Sequence, residues 1–145
     1  MTDLGSTAFD QGKQYPADDI VVSFDQHRCR HFAECVRGLP GVFDVDRRPW
    51  IDPTAASADE VAEVIRRCPS GALQYRRRDG DDEIGDETTS VKQLPSGQLL
   101  LRGRMSVRAT DSGEVRFETR MAACGCGGSL LAPYCDGACG ADHPG

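Results

Sequence analysis

The chain has 145 residues, a net charge of −6 and seven cysteines. This length fits one ordinary domain or two small ones, and small domains bury too little apolar surface to be robust without help such as a bound metal. The charge pattern lacks the basic stripe of a nucleic-acid binder, which excludes that class. No apolar run approaches the roughly 20 residues of a spanning helix, and residues 1–19 lack the apolar core of a signal peptide. We therefore expect a cytoplasmic protein without a membrane partner.

The cysteines fall into two groups, one in each half of the chain. The first group is Cys29, Cys35 and Cys68, and the second is Cys124, Cys126, Cys135 and Cys139. Clustered thiols in a chain without a secretion signal favour metal or redox chemistry over a disulfide framework. The odd number of cysteines supports this interpretation, because disulfides alone would leave one thiol over.

The first half of the chain predicts an α+β domain over residues 16–78. Ile20–Phe24 is a short run rich in β-branched residues, typical of a strand. Ser57 and Glu60 form a capping-box pattern ahead of apolar residues at helical spacing. The predicted helix ends near Arg67, because a proline and a glycine follow closely.

Residues 79–90 carry six acidic side chains and no basic one. A run this acidic, with a single apolar residue, cannot bury itself, so we interpret it as a solvated linker. Docking of this run on a basic redox partner is the alternative.

The first three cysteines have the spacing of an iron–sulfur site. Cys29 and Cys35 are separated by five residues, and Cys68 follows the predicted helix and precedes a proline. Together with the surrounding C-R-H-F-A-E-C, P-G-V-F-D, P-W-I and C-P-S-G-A-L, this segment resembles the single-cluster bacterial ferredoxins and the divergent 4Fe–4S mono-cluster domain. The resemblance implies a cubane-type cluster held by these cysteines.

The fourth iron of such a cluster has no obvious thiolate. Phe32 stands where the usual bacterial pattern has a further cysteine. Either His31 binds that iron, or His31 is a polar loop residue and the centre is a 3Fe–4S cluster or has an exchangeable iron. We expect His27 to lie on the surface.

The last part of the chain, residues 91–145, predicts a small antiparallel β domain. Apolar and charged residues alternate over Met105–Ala109 and Val115–Met121, on either side of a turn at Thr110–Gly113. We expect the charged side of this hairpin to face solvent. A two-stranded hairpin is not stable alone, so it must pair with more strands, another subunit or the N-terminal half.

The final cysteines resemble a second iron–sulfur family. The matching residues are Cys124, Cys126, Ser129, Pro133, Cys135, Asp136 and Gly137, whereas Cys139 departs from the pattern at its last position. Their pattern is similar to that of the CDGSH (mitoNEET-like) domain, which reads C-x-C, Ser or Thr three residues on, then P-x-C-D-G-x-H. This resemblance implies a 2Fe–2S cluster, and the histidine ligand of the family falls on Cys139.

Cys139 can complete an all-thiolate set, and His143 is the rival fourth ligand. Ser129 and Pro133 have supporting positions, while Asp136 and Gly137 are expected to open a turn whose amides point at the anionic cluster, with Asp136 as an acceptor. The CDGSH family pairs two such units, which implies a homodimer through residues 94–121.

These observations predict a two-centre iron–sulfur protein for electron transfer, or for cluster transfer and redox sensing. Its partner would be a redox protein or an apo-protein that accepts a cluster. We find no nucleophile–base pair and no phosphate loop, so we expect no catalysis. A zinc-binding interaction module is the main alternative, and a reactive or sensing thiol is another.

Overall fold

The N-terminal half is built on a three-stranded antiparallel sheet. The computed structural model describes residues 6–30, 32–78, 82–95, 97–108, 113–123 and 133–135. The strands are β2 (Lys13–Pro16), β3 (Ile20–Phe24) and β4 (Leu73–Arg77), with β3 in the centre. The predicted strand is confirmed with the same bounds.

A capped helix packs on this sheet. The helix α3 spans Ala58–Ile65, after the short helices α1 (Ala8–Gln11) and α2 (Glu34–Gly38). The capping box is confirmed, because the Ser57 hydroxyl accepts from the Glu60 amide at 3.2 Å while the Glu60 carboxylate accepts from the Ser57 amide at 3.2 Å. The helix ends two residues earlier than expected.

Apolar side chains from β3, β4, α3 and the connecting loop form one core. Its members include Ile20, Val22, Val42, Phe43, Ile51, Val61, Val64, Ile65, Leu73 and Tyr75. The loop also contributes a 3-10 turn at Pro53–Ala55. The expected combination of helices and antiparallel strands is confirmed.

The C-terminal half forms a four-stranded sheet. The predicted hairpin is confirmed as β6 (Leu99–Arg108) and β7 (Val115–Ala123), which pair antiparallel. The strand β5 (Ser90–Gln93) extends the sheet beside β6, and β1 (Ser6–Thr7) pairs parallel with β7. Of the expected turn, residues 110–112 lie outside the described residues. The start of the chain thus contributes a strand to the distant sheet, which the sequence analysis did not predict.

The expectation that the charged side of the hairpin faces solvent is wrong for its two central residues. Glu118 is 2% exposed and Arg120 is 0% exposed, whereas Phe117 on the opposite side of β7 is 43% exposed. The reason is pairing: both charged side chains find partners in other parts of the molecule. The hairpin does not have one apolar and one charged face, because the register places Met105 of β6 opposite Glu118 and Arg108 opposite Val115.

The acidic segment supplies one of these partners. Most described residues of 82–90 are exposed, but the Glu83 side chain is only 8% exposed and forms an ion pair with Arg120 at 2.7 Å. Burial alone would raise the pKa of Glu83, but its hydrogen bonds and charge attraction with Arg120 outweigh burial and hold that pKa below its usual range. The Glu83 side chain is therefore buried and paired, whereas we expected every residue of this segment to be solvated.

Within the described ranges, no helix is long and apolar enough to cross a membrane.

Candidate metal centre

The three N-terminal cysteines come together at one pocket. Cys29 lies in the turn after β3, Cys35 lies in α2, and Cys68 follows α3. All three line the same small cavity and are partly buried. Three separate segments therefore deliver three thiols to one place, as the resemblance to cluster-binding domains implies.

The turn that follows α3 holds Cys68 in a defined position. The Gly71 amide donates to the Cys68 carbonyl at 3.3 Å. The buried Ser70 hydroxyl lies 3.5 Å from the Cys68 sulfur and accepts from the Ala72 amide at 3.2 Å. The predicted break after the helix is confirmed, and its hydrogen bonds orient the thiol.

Gly71 in this turn cannot carry a side chain. Its φ is +74°, a conformation that residues with a Cβ rarely adopt. A Cβ there would also collide with the carbonyl of Arg120 and the guanidinium of Arg28. The glycine thus lets two arginines approach the backbone next to Cys68.

The Cys35 thiol resists ionisation in the metal-free chain. Burial, together with the nearby Cys68 and Cys29, raises the pKa of Cys35 to about 11. In the metal-free chain this thiol is therefore protonated at neutral pH. Iron would displace the proton and balance the charge of the converging thiolates.

Among the described residues that line the pocket, there is no fourth cysteine to bind a fourth iron. Phe32 lines the cavity beside the three thiols and has no metal-binding atom. His31 lies outside the described residues, so its proposed ligation stays a prediction. His27 is exposed as expected.

In the described parts of the chain, the three N-terminal cysteines included, no group of three His, Cys, Asp or Glu side chains is arranged to hold a single metal ion. Thiolates around a cubane bind different irons, so they do not converge on one point as the ligands of a single ion do.

One of the four C-terminal cysteines can be described. Cys135 is 2% exposed, and the buried Gln98 side chain donates its amide hydrogen to the Cys135 sulfur at 3.2 Å. The Cys135 amide donates to the Ala122 carbonyl of β7 at 2.8 Å. The backbone of this cysteine is thereby attached to the sheet. Its proposed co-ligands and neighbours lie outside the described residues: Cys124, Cys126, Cys139, His143, Ser129, Asp136 and Gly137.

Sequence reasoning missed a group of buried polar residues beside these cysteines. Arg28 precedes Cys29 and Tyr134 precedes Cys135, and both contact Glu118. Burial and the Glu118 carboxylate raise the pKa of Tyr134, so its hydroxyl keeps the proton that it donates. The only sequence signal for this group was the alternation of charged and apolar residues in β7. Such a pattern does not indicate which distant residues will be their partners.

Comparison with known proteins agrees with the geometry of the first site. Residues 15–78 match the family described as divergent 4Fe-4S mono-cluster. The uncharacterized protein YjdI of Escherichia coli K12 is 42% identical over 64 residues, which are 44% of this chain and 84% of that relative. YjdI of Escherichia coli O157:H7 matches with the same values. No solved structure matches the chain significantly.

Proposed function

This chain belongs, through residues 15–78, to the divergent 4Fe-4S mono-cluster family, and from that premise we propose that it is an electron or cluster carrier with two iron–sulfur centres. The observation that carries the proposal is the meeting of Cys29, Cys35 and Cys68 in one pocket. Three thiols from three separate segments supply three of the four ligands of a 4Fe–4S cubane, and ordinary packing does not require them to meet. No catalysis is needed to explain them.

Cys29, Cys35 and Cys68 would hold the N-terminal cluster, which supplies a one-electron reduction and oxidation. The chain itself shields the site, because Phe24, Phe32 and Leu73 line the same pocket. Phe24 is fixed in turn by an edge-to-face contact with Trp50, with ring centroids 5.0 Å apart. Exclusion of water in this way tunes the potential of a cluster.

A groove of about 800 Å³ borders the same site on one side. Cys29 and Cys35 both line it, together with Lys13, Trp50 and the exposed His27. We propose that a redox protein, or an apo-protein that accepts a cluster, approaches the centre from this side.

The second centre in the proposal is a 2Fe–2S cluster bound by Cys124, Cys126, Cys135 and Cys139, with His143 as the rival to Cys139. The described part of this segment supports a ligand role for Cys135, because its sulfur is buried and accepts a hydrogen bond from Gln98. Hydrogen bonds to cluster sulfurs are a usual means of setting the potential.

Homodimerisation through residues 94–121 stays a prediction. The described residues cover part of the hairpin within one chain, since β1 pairs with β7 and Glu118 pairs with Arg28 of the N-terminal half. Light scattering at tens of micromolar tests the dimer. A monomer would reject it and leave the intramolecular cover as the full explanation.

Chemical analysis of the purified protein for iron, acid-labile sulfide and zinc tests the proposed function. We expect the iron and sulfide of one cubane-type centre and one 2Fe–2S centre, with visible absorption. Iron and sulfide sufficient for the cubane alone would remove the second centre from the proposal. Stoichiometric zinc without sulfide would reject both and support a zinc-binding module.

A further inference from the structure

A fully buried ion pair joins the two halves of the molecule. The two guanidinium nitrogens of Arg28 donate to the two carboxylate oxygens of Glu118, each at 3.0 Å. The side chains are 2% and 0% exposed, and the residues are 90 positions apart in sequence. Burial of charge is costly unless the geometry is good and the remaining hydrogen bonds are made. This pair meets the first condition by its bidentate form.

The same arginine holds the turn that carries Cys68. One nitrogen of Arg28 also donates to the Ser70 carbonyl at 2.9 Å, and Arg28 itself directly precedes Cys29. Arg120 of β7 donates to the Cys68 carbonyl at 2.8 Å. Two arginines, one from each half, therefore fix the backbone at two of the three N-terminal cysteines.

The segment of Cys135 is attached to the same carboxylate. The Tyr134 hydroxyl donates to Glu118 at 2.6 Å, and the Arg28 guanidinium lies 4.7 Å from the centre of the Tyr134 ring. Glu118 thus lies between the residue that precedes Cys29 and the residue that precedes Cys135. Any movement of Tyr134 changes the hydrogen bonding of this carboxylate and, through it, the position of Arg28.

A second ion pair balances the charge of this group. Arg120 donates to the two Glu83 oxygens at 2.9 and 2.7 Å, and Glu83 comes from the acidic segment. Each buried cation therefore has its own anion, and each pair joins strand β7 to another part of the chain. Loss of one member leaves an unpaired charge beside the cysteine turns.

We propose that strand β7 is a positioning part of the N-terminal cluster site, and that Glu118 couples this site to the segment of Cys135. The inference rests on the proposed function for the cluster at Cys29, Cys35 and Cys68, and it does not require a cluster at the C-terminal end. Coupling between two sites of one protein is commonly worth about 5- to 150-fold in affinity. The consequence is that a change near Cys135 alters how firmly the distant cluster is held.

The test uses two substitutions in the full-length chain that remove single contacts of Glu118. Glu118→Gln removes the negative charge, and Tyr134→Phe removes only the hydroxyl. Glu87→Gln is the matched control, since Glu87 is a glutamate that is exposed to solvent. The readouts are the reduction potential of the cubane-type centre, followed by EPR, and its rate of iron loss to a chelator.

We expect Glu118→Gln to lose iron from the cubane-type centre at least about fivefold faster and to shift its potential. Tyr134→Phe should change both quantities in the same direction by less, and Glu87→Gln should match the wild type. Should Glu118→Gln fail to fold, Tyr134→Phe carries the test alone, because it deletes one oxygen atom.

Wild-type potential and wild-type iron loss in soluble Tyr134→Phe would overturn the coupling, even if the variant unfolds more easily. A wild-type protein without any cubane-type signal would instead overturn the proposed function. The two failures are therefore distinguishable.

Discussion

The two halves of the molecule bury their central residues by different means. In the N-terminal half, apolar side chains such as Val22, Phe43 and Val61 fill the core. In the C-terminal sheet, the most deeply buried residue of β7 is Arg120, and Glu118 is buried two positions before it. The apolar core builds a scaffold for the cysteines, whereas the charged pairs fix the backbone around them. Arginines from both halves donate hydrogen bonds to the turn at Cys68, although the family match covers only one half.

The largest expected effect comes from substitution of a cysteine ligand, which should remove one centre and leave the other. Cys68→Ser should abolish the cubane-type EPR signal and leave the 2Fe–2S spectrum, because the two cysteine sets are separate. Cys126→Ser is the converse control and should spare the N-terminal signal. Loss of both signals from soluble, folded Cys68→Ser would show that the two sites are shared or mutually dependent.

Removal of a buried charge should be the next largest effect. Arg120→Met leaves Glu83 buried without its partner, and we expect the free energy of unfolding to fall by about 3–5 kcal/mol. Arg67→Met is the matched control, because its pair with Glu63 is exposed and is worth within about 0.5 kcal/mol. Urea denaturation measures both. Equal effects of the two variants would contradict the role assigned to the buried pair.

Substitution at Cys139 tests which residues bind the proposed second centre. Cys139→His recreates the ligand pattern of the CDGSH family, and we expect a higher reduction potential together with a pH dependence between about pH 6 and 8. The unsubstituted centre should have a nearly flat potential over that range. Potentiometric titration measures both slopes. A change of spectrum in His143→Ala would show instead that His143 is the ligand.

The ion pair between Glu83 and Arg120 should also affect the titration of the Glu83 carboxyl group. Because its folded pKa is lowered, ionised Glu83 contributes its full stability above its ordinary pKa of about 4.3, and this contribution is lost as pH falls through the lower folded pKa. Chemical-shift titration of this carboxyl should give a midpoint below about 4.3. A midpoint at or above that value would contradict the ion pair.

The smallest expected effect concerns the hydrogen bond to Cys135. Gln98→Leu removes the donor to this sulfur, and we expect a lower reduction potential for the C-terminal centre, because the donor stabilises the more negative reduced state. Gln93→Leu is the control, since Gln93 is exposed on β5. A potential that is the same in both variants would show that Cys135 is not part of a redox centre.

Local sequence signals predicted much of the fold and the group of N-terminal cysteines that lines one pocket. The strand Ile20–Phe24, the capping box at Ser57 and the turn after Cys68 are encoded by neighbouring residues, so their patterns were sufficient. The pairing of β1 with β7 and the burial of Glu118 depend on residues about 90 or more positions away. Alternation shows that a strand has two faces. It does not show that a distant arginine will neutralise a glutamate on one of them and allow it to be buried.

Mössbauer spectroscopy of iron-enriched protein tests the central claim most directly, because it resolves the irons of different clusters in one sample. The account predicts two sets of signals, one from a cubane-type centre that is lost in Cys68→Ser and one from a 2Fe–2S centre that remains. A single set of signals in the wild type, or no iron signal in a folded protein that contains zinc, would contradict it.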